Sequence, residues 1–75
     1  MTQGLHAVIL VHSISHALRL EKLLPARGVA CKMIPVPRRI SSDCGVCVRV
    51  SRSDVETVRR IVAEARIEIE GVADS

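Results

Sequence analysis

Aromatic residues are absent from this 75-residue sequence, which contains no phenylalanine, tryptophan or tyrosine. RNA-recognition and cold-shock domains stack bases on aromatic rings, so the composition argues against those modes of binding. An aromatic cage for a quaternary ammonium ligand is excluded for the same reason. The formal net charge of +3 gives only weak support for an anionic partner. We therefore do not expect nucleic acid as a partner.

Long apolar runs are also missing. The run Ala7 to Val11 is far shorter than the ~20 residues that a membrane-spanning helix needs. The N-terminal M-T-Q-G-L-H lacks the basic segment and apolar core of a signal peptide. We therefore expect a cytoplasmic protein without membrane contact. The length predicts a single domain over residues 1–75, in which folding buries only about 60% of the unfolded surface.

Cysteine is present three times, and an odd number cannot form a complete set of disulfides within the chain. Reduced thiols agree with a cytoplasmic location. One C-x-x-C with His12 or His16 is a poor zinc ligand set, because zinc takes four ligands. No Gly-rich phosphate loop, Ser-His-Asp set or paired carboxylates stand out. We therefore expect no metal and no cofactor beyond a transient group on a cysteine.

Hydrophobic periodicity predicts six elements in the order β-α-β-β-α-β. Four apolar or alternating segments predict strands at 5–11, 29–36, 45–51 and 67–70. The first helix follows Ser13 or Ser15 as N-cap, presents Ile14, Ala17, Leu20 and Leu24 as its apolar stripe, and ends near Pro25. The second begins at a capping box from Ser53 to Glu56 and presents Val55, Val58, Val62 and Ala65. Residues 71–75 are expected to form a polar tail.

Right-handed crossovers convert this order into a ferredoxin-like split β-α-β sandwich of the α+β class. Its antiparallel sheet has the order 4-1-3-2, and both helices cover one face. The end of the first strand then meets the start of the third strand. This arrangement predicts one edge that gathers His12, the first helical turn with His16, the Arg38-Arg39 loop and Cys44.

Cys44 is the candidate nucleophile at that edge. A helix N-terminus and nearby arginines both favour a thiolate, so the predicted pKa of Cys44 lies below that of a free thiol. Cys44 has the same parity as Val46, which predicts that it leans toward the helix-covered face.

The stretch P-V-P-R-R-I-S-S-D-C-G resembles a family of small bacterial proteins described as selenium/sulfur carriers, and the resemblance extends over nearly the whole chain. The matching motif positions are Pro37, Arg38, Ser41, Ser42, Cys44 and Gly45. The resemblance implies that Cys44 carries a persulfide or selenosulfide between donor and acceptor proteins, as a carrier and not as a turnover enzyme. Arg39 and His12 would complete its surroundings. Pro25 and Cys47 depart from the family pattern.

Other interpretations of these residues stay open. The chain could be a non-catalytic interaction or regulatory module that binds an anion or a partner protein, with Cys44 incidental. Cys44 and Cys47 could form a redox dithiol, although in a regular strand they lie too far apart for a disulfide. Cys47 otherwise fills the open face of the sheet, and that face, with Lys32, Ile34 and Arg49, could pair two copies in a homodimer. Cys31 is expected to be a buried structural thiol.

Overall fold

The computed structural model describes residues 5–36 and 45–74, which form four strands and two α-helices. The strands are β1 (His6–Leu10), β2 (Cys31–Pro35), β3 (Val46–Ser51) and β4 (Gly71–Asp74). The helices are α1 (Ile14–Ala26) and α2 (Val55–Ala65), and a 3-10 turn (Arg52–Asp54) leads into α2. None of the helices in this described part is long and apolar enough to cross a membrane.

The four strands form one antiparallel sheet in the order β2-β3-β1-β4. Read from its β4 edge, this is the order 4-1-3-2. The central strands β1 and β3 pair from His6 opposite Ser51 to Leu10 opposite Cys47. The end of β1 therefore meets the start of β3, as the sequence predicts.

The hydrophobic core lies between one face of the sheet and the two helices. Its buried members from the central strands and the helices are Ala7, Ile9, Val48, Val50, Ala17, Leu20, Leu24, Val58, Ile61 and Val62. The valines of β3 alternate with Cys47 and Arg49, which is the pattern of a strand with one face against a core. The prediction that Cys47 lies on an open face of the sheet is wrong, because its side chain has 0% exposure.

The helix α1 begins as predicted at Ser13, whose hydroxyl accepts a hydrogen bond from the backbone N–H of His16. Ala17, Leu20 and Leu24 are buried, but Ile14 is 54% exposed and does not belong to the apolar stripe. Ile14 is the first residue of the helix. Pro25 lies within the last turn, and the helix ends one residue later.

The helix α2 begins differently from the prediction. Its N-cap is Asp54, which makes no side-chain capping bond, and the Ser53 hydroxyl is hydrogen-bonded to that of Ser51 at 3.0 Å. The expected capping box is therefore wrong, because the 3-10 turn occupies the residues that would have formed it. The apolar face is close to the predicted one, with Val58 and Val62 buried.

The last strand lies at 71–74, so the predictions of a strand at 67–70 and of a polar tail from residue 71 are wrong. Arg66 adopts a left-handed conformation (φ 57°) that ends α2, and Ile67 is buried in the core without joining the sheet. Alternating apolar and acidic residues can thus occur in a connecting segment as well as in a strand. The N–H of Glu70 then donates to Leu10 O at 2.6 Å, and β4 pairs with β1 from Gly71 onward.

Candidate functional site

The candidate site is the sheet edge where β1 ends and β3 begins. Leu10 lies opposite Cys47 in the antiparallel pair of β1 and β3. His12 follows Leu10 by two residues and Gly45 precedes Cys47 by two, so both lie at the same end of the sheet. The helix α1 starts there too, with Ser13 as its N-cap. We call His12, Ser13, His16 and Gly45 the Gly45 edge.

Six of the predicted site residues lie outside the residues that the structure describes. These are Pro37, Arg38, Arg39, Ser41, Ser42 and Cys44. Their roles stay predictions. The structure places three other predicted site residues: Gly45 and His12 lie at the Gly45 edge, and Cys47, the possible second thiol, is buried on β3.

Gly45 has a left-handed backbone conformation, with φ +79°. An added Cβ would meet nothing within 4 Å, so the backbone conformation and not a lack of space requires glycine here. The N–H of Val36 donates to the carbonyl oxygen of Gly45 at 3.1 Å, and β3 starts only at Val46. Side chains alternate between faces only in extended backbone, so the parity of Val46 does not determine the face on which Cys44 lies.

His12 is half-exposed, and its Nδ1 lies 3.8 Å from Oε2 of Glu70. The predicted strand at 67–70 does not indicate this contact. The contact depends on where β4 starts. Since β4 begins at Gly71, opposite Leu10, Glu70 lies beside the end of β1. A carboxylate therefore belongs to the surroundings of His12.

Ser13 and His16 form a second polar contact at this edge. The Ser13 hydroxyl lies 2.6 Å from Nδ1 of His16 and 2.9 Å from the hydroxyl of Ser15. The first turn of α1 contains no acidic side chain that would offset the partial positive charge of the helix N-terminus. The N-terminus of α1 therefore favours a nearby negative charge, whereas the Glu70 carboxylate beside His12 disfavours one.

The other two cysteines are poorly suited to be nucleophiles. Cys47 is fully buried in the middle of the sheet. Cys31 donates its thiol hydrogen to the carbonyl oxygen of Glu21, with 3.9 Å between Sγ and O. Burial, and then the negative charge of Glu21, raise the pKa of Cys31 above its ordinary value, which disfavours the thiolate. The expected structural role of Cys31 agrees with these contacts, although the residue is only partly buried.

Residues 5–36 and 45–74 contain no group of three or more histidine, cysteine, aspartate or glutamate side chains that could hold a metal ion. The contact between His12 and Glu70 supplies only two such side chains. The described residues of the Gly45 edge therefore offer a ligand a helix N-terminus and hydrogen-bonding side chains, and not a metal site.

A family model described as "Putative Se/S carrier protein-like" matches residues 6–74. The chain belongs to this family. The match covers all four strands, both helices and the complete segment from Pro35 to Gly45. Searches of curated proteins and of solved structures found no match. Membership in a carrier family implies contact with donor and acceptor proteins.

Two exposed apolar residues flank the Gly45 edge and are relevant to such contacts. Ile14 and Leu18 are 54% and 44% exposed, and their four-residue spacing places them on one side of α1. Ile14 directly follows Ser13, so this apolar pair begins at the edge itself. We call Ile14 and Leu18 the α1 apolar pair.

Proposed function

We propose that this protein carries sulfur or selenium as a persulfide or selenosulfide on Cys44, held at one end of a ferredoxin-like scaffold. One observation carries the proposal: the family match spans residues 6–74 and so includes the segment with Cys44. The burial of Cys47 and the raised pKa of Cys31 support the choice of Cys44 over the other two cysteines. The Gly45 edge supports it further, because the residue that directly follows Cys44 lies at the end of the sheet where α1 begins.

The loading step is a thiol exchange that needs no external oxidant. The Cys44 thiolate attacks the terminal sulfur of a donor persulfide, forming one S–S bond while the donor's S–S bond breaks. The donor leaves as a thiolate, and the terminal sulfur on Cys44 keeps the negative charge. Transfer to an acceptor thiolate repeats the exchange, and a terminal selenium atom could move in the same way. Since a persulfide carries a charge, a site that stabilises an anion favours the loaded state.

The Gly45 edge can supply part of that stabilisation. The partial positive charge at the N-terminus of α1 favours an anion by about 0.3–1 kcal/mol when the site is exposed. His12 can donate a hydrogen bond from its ring. In our proposal Arg38, Arg39 and the backbone amides of Ser41 and Ser42 add further donors from the loop, with Pro37 limiting its conformations.

The α1 apolar pair would be the docking contact for the donor and acceptor proteins. Sulfur transfer requires two cysteines to approach each other closely, so a partner must cover the surface around Cys44. Exposed apolar side chains next to a reactive group fit such a transient interface, in which a few residues carry most of the binding energy.

The proposal is tested by loading the protein with a cysteine desulfurase and cysteine, removing small molecules, and measuring bound sulfane sulfur by cyanolysis. Wild type and Cys31→Ser should each bind one equivalent of sulfur, and Cys44→Ser should bind none. Circular dichroism should show that all three proteins are folded. Equal loading of Cys44→Ser and wild type would refute the assignment to Cys44.

The same experiment separates the alternatives. If no variant takes up sulfur, the interaction-module hypothesis becomes the better one. The dithiol hypothesis requires Cys47 as well as Cys44. It predicts that wild type forms a disulfide on mild oxidation and that Cys47→Ala does not. The carrier proposal predicts that Cys47→Ala still binds one equivalent of sulfur.

A further inference from the structure

A pocket with a cationic lining lies at the opposite end of the sheet from the Gly45 edge. Its polar lining residues are His6, Lys32, Arg49 and Ser51, and its volume is about 210 Å³. Lys32 and Arg49 alternate with Met33, Val48 and Val50, which pack toward the core, so they lie on the face away from the helices. We call these four residues the cationic pocket.

Two like charges face each other across this pocket. Lys32 lies directly opposite Arg49 in the ladder between β2 and β3. Like charges in this position destabilise a sheet, because their side chains project side by side from neighbouring strands. Among the described residues, no carboxylate forms an ion pair with either side chain. An anion bound between them would remove this repulsion.

We propose that the cationic pocket binds a tetrahedral dianionic oxyanion of the phosphate or sulfate type. The planar guanidinium of Arg49 can donate two parallel hydrogen bonds to such a group, and the ammonium of Lys32 adds a second fixed charge. Ser51 and His6 supply a hydroxyl and a ring nitrogen. Two fixed positive charges match a dianion better than they match a single carboxylate.

The size of the pocket limits the ligand. Pockets that enclose drug-sized molecules have volumes of about 300–1,000 Å³, so about 210 Å³ fits a free oxyanion or the terminal group of a small ester. Ser51 lies six positions after Gly45, which is roughly 20 Å along an extended strand at about 3.3 Å per residue. The cationic pocket is thus separate from the Gly45 edge, and the proposed contacts to the anion do not involve Cys44, although Cys31 contributes to the pocket lining.

The test is a titration of the full-length protein with inorganic phosphate at constant ionic strength, followed by the backbone amide NMR signals of β2 and β3. Wild type should show saturable shifts near Lys32 and Arg49. Lys32→Gln and Arg49→Gln should each raise the dissociation constant about tenfold, as expected for the loss of one charge-assisted hydrogen bond. Arg59→Gln removes an equal charge from the exposed surface of α2 and should leave the constant unchanged.

Two further ligands identify the source of the oxyanion. Tighter binding of glycerol phosphate than of phosphate would indicate an ester-borne group, and equal binding would indicate the free ion; both results support the pocket. Tighter binding of a hexaglutamate peptide would overturn the oxyanion assignment in favour of an acidic protein segment. Equal weakening by Arg59→Gln, or no saturable shift at tens of millimolar phosphate, would overturn the site itself.

Discussion

The thiol of Cys31 donates to the backbone carbonyl oxygen of Glu21, with 3.9 Å between the two atoms. In an unbroken helix, the N–H of residue 25 would donate to this carbonyl. Residue 25 is proline, which has no N–H, and it lies within the last turn of α1. Cys31 on β2 therefore supplies a donor to a carbonyl that Pro25 leaves without its helical partner. Pro25 and Cys31 are thus parts of one structural feature.

This relationship predicts energetic coupling between residues 25 and 31. Cys31→Ala should cost more stability in wild type than in a Pro25→Ala background, because the substituted alanine restores the backbone donor to Glu21. Since thiol hydrogen bonds are weak, we expect a coupling free energy of about 0.5 kcal/mol. Urea unfolding of the wild type, the two single variants and the double variant measures it. Strictly additive effects would show that the thiol does not replace the missing amide.

The pH dependence of stability should report the raised pKa of Cys31. Because the folded protein holds the thiol proton more tightly than the unfolded chain does, this contribution is fully present below the ordinary pKa of 9.0. It is lost as the pH rises through the pKa of the folded state. Cys31→Ser keeps a hydrogen-bond donor but does not titrate, so wild type should lose stability relative to this variant as the pH rises above 9.0. A constant difference across that range would contradict the raised pKa.

Gly45 and Gly71 form a matched pair for testing the backbone at the Gly45 edge. Neither position has a neighbour within 4 Å of an added Cβ, but only Gly45 has a positive φ. Gly45→Ala should therefore cost about 1–2 kcal/mol, which is the strain of a left-handed conformation for an L-residue. Gly71→Ala should be close to neutral. Chemical denaturation of the two variants gives the comparison, and equal effects would refute a conformational role for Gly45.

The α1 apolar pair should affect transfer between proteins and not loading by a small molecule. Ile14→Ser should lower the rate constant for sulfur transfer from a desulfurase about fivefold, as expected for the loss of ~1 kcal/mol at an interface. Leu5→Ser is the control, because Leu5 is equally exposed but precedes β1 at the other end of the sheet. Loading by glutathione persulfide should be unchanged in both variants. If Leu5→Ser has the larger effect on transfer, the partner docks elsewhere.

The strand order and the start of α1 could be predicted because they depend on local patterns. The alternation in β3, the Ser13 cap and the preference for right-handed crossovers were enough to place the end of β1 beside the start of β3. These are effects of neighbouring residues and of chain handedness, and a sequence displays both directly.

The remaining features depend on contacts between distant residues. The alternation Ile67-Glu68-Ile69-Glu70 predicted a strand, but the segment leaves Ile67 in the core and brings Glu70 to His12 without joining the sheet. Cys47 is completely buried although it lies on the face away from the helices, and alternation alone cannot show this burial. The contact from Cys31 to Glu21 spans ten residues and belongs to no motif.

The central claim is that Cys44 holds the transferred sulfur. The most direct test is peptide-level mass spectrometry of the wild-type protein after loading with a cysteine desulfurase and cysteine and trapping of persulfides by alkylation. Our account predicts the mass of one extra sulfur on the peptide that contains Cys44, its loss on reduction, and unmodified Cys31. Extra sulfur on Cys31 or Cys47 with none on Cys44 would contradict the account.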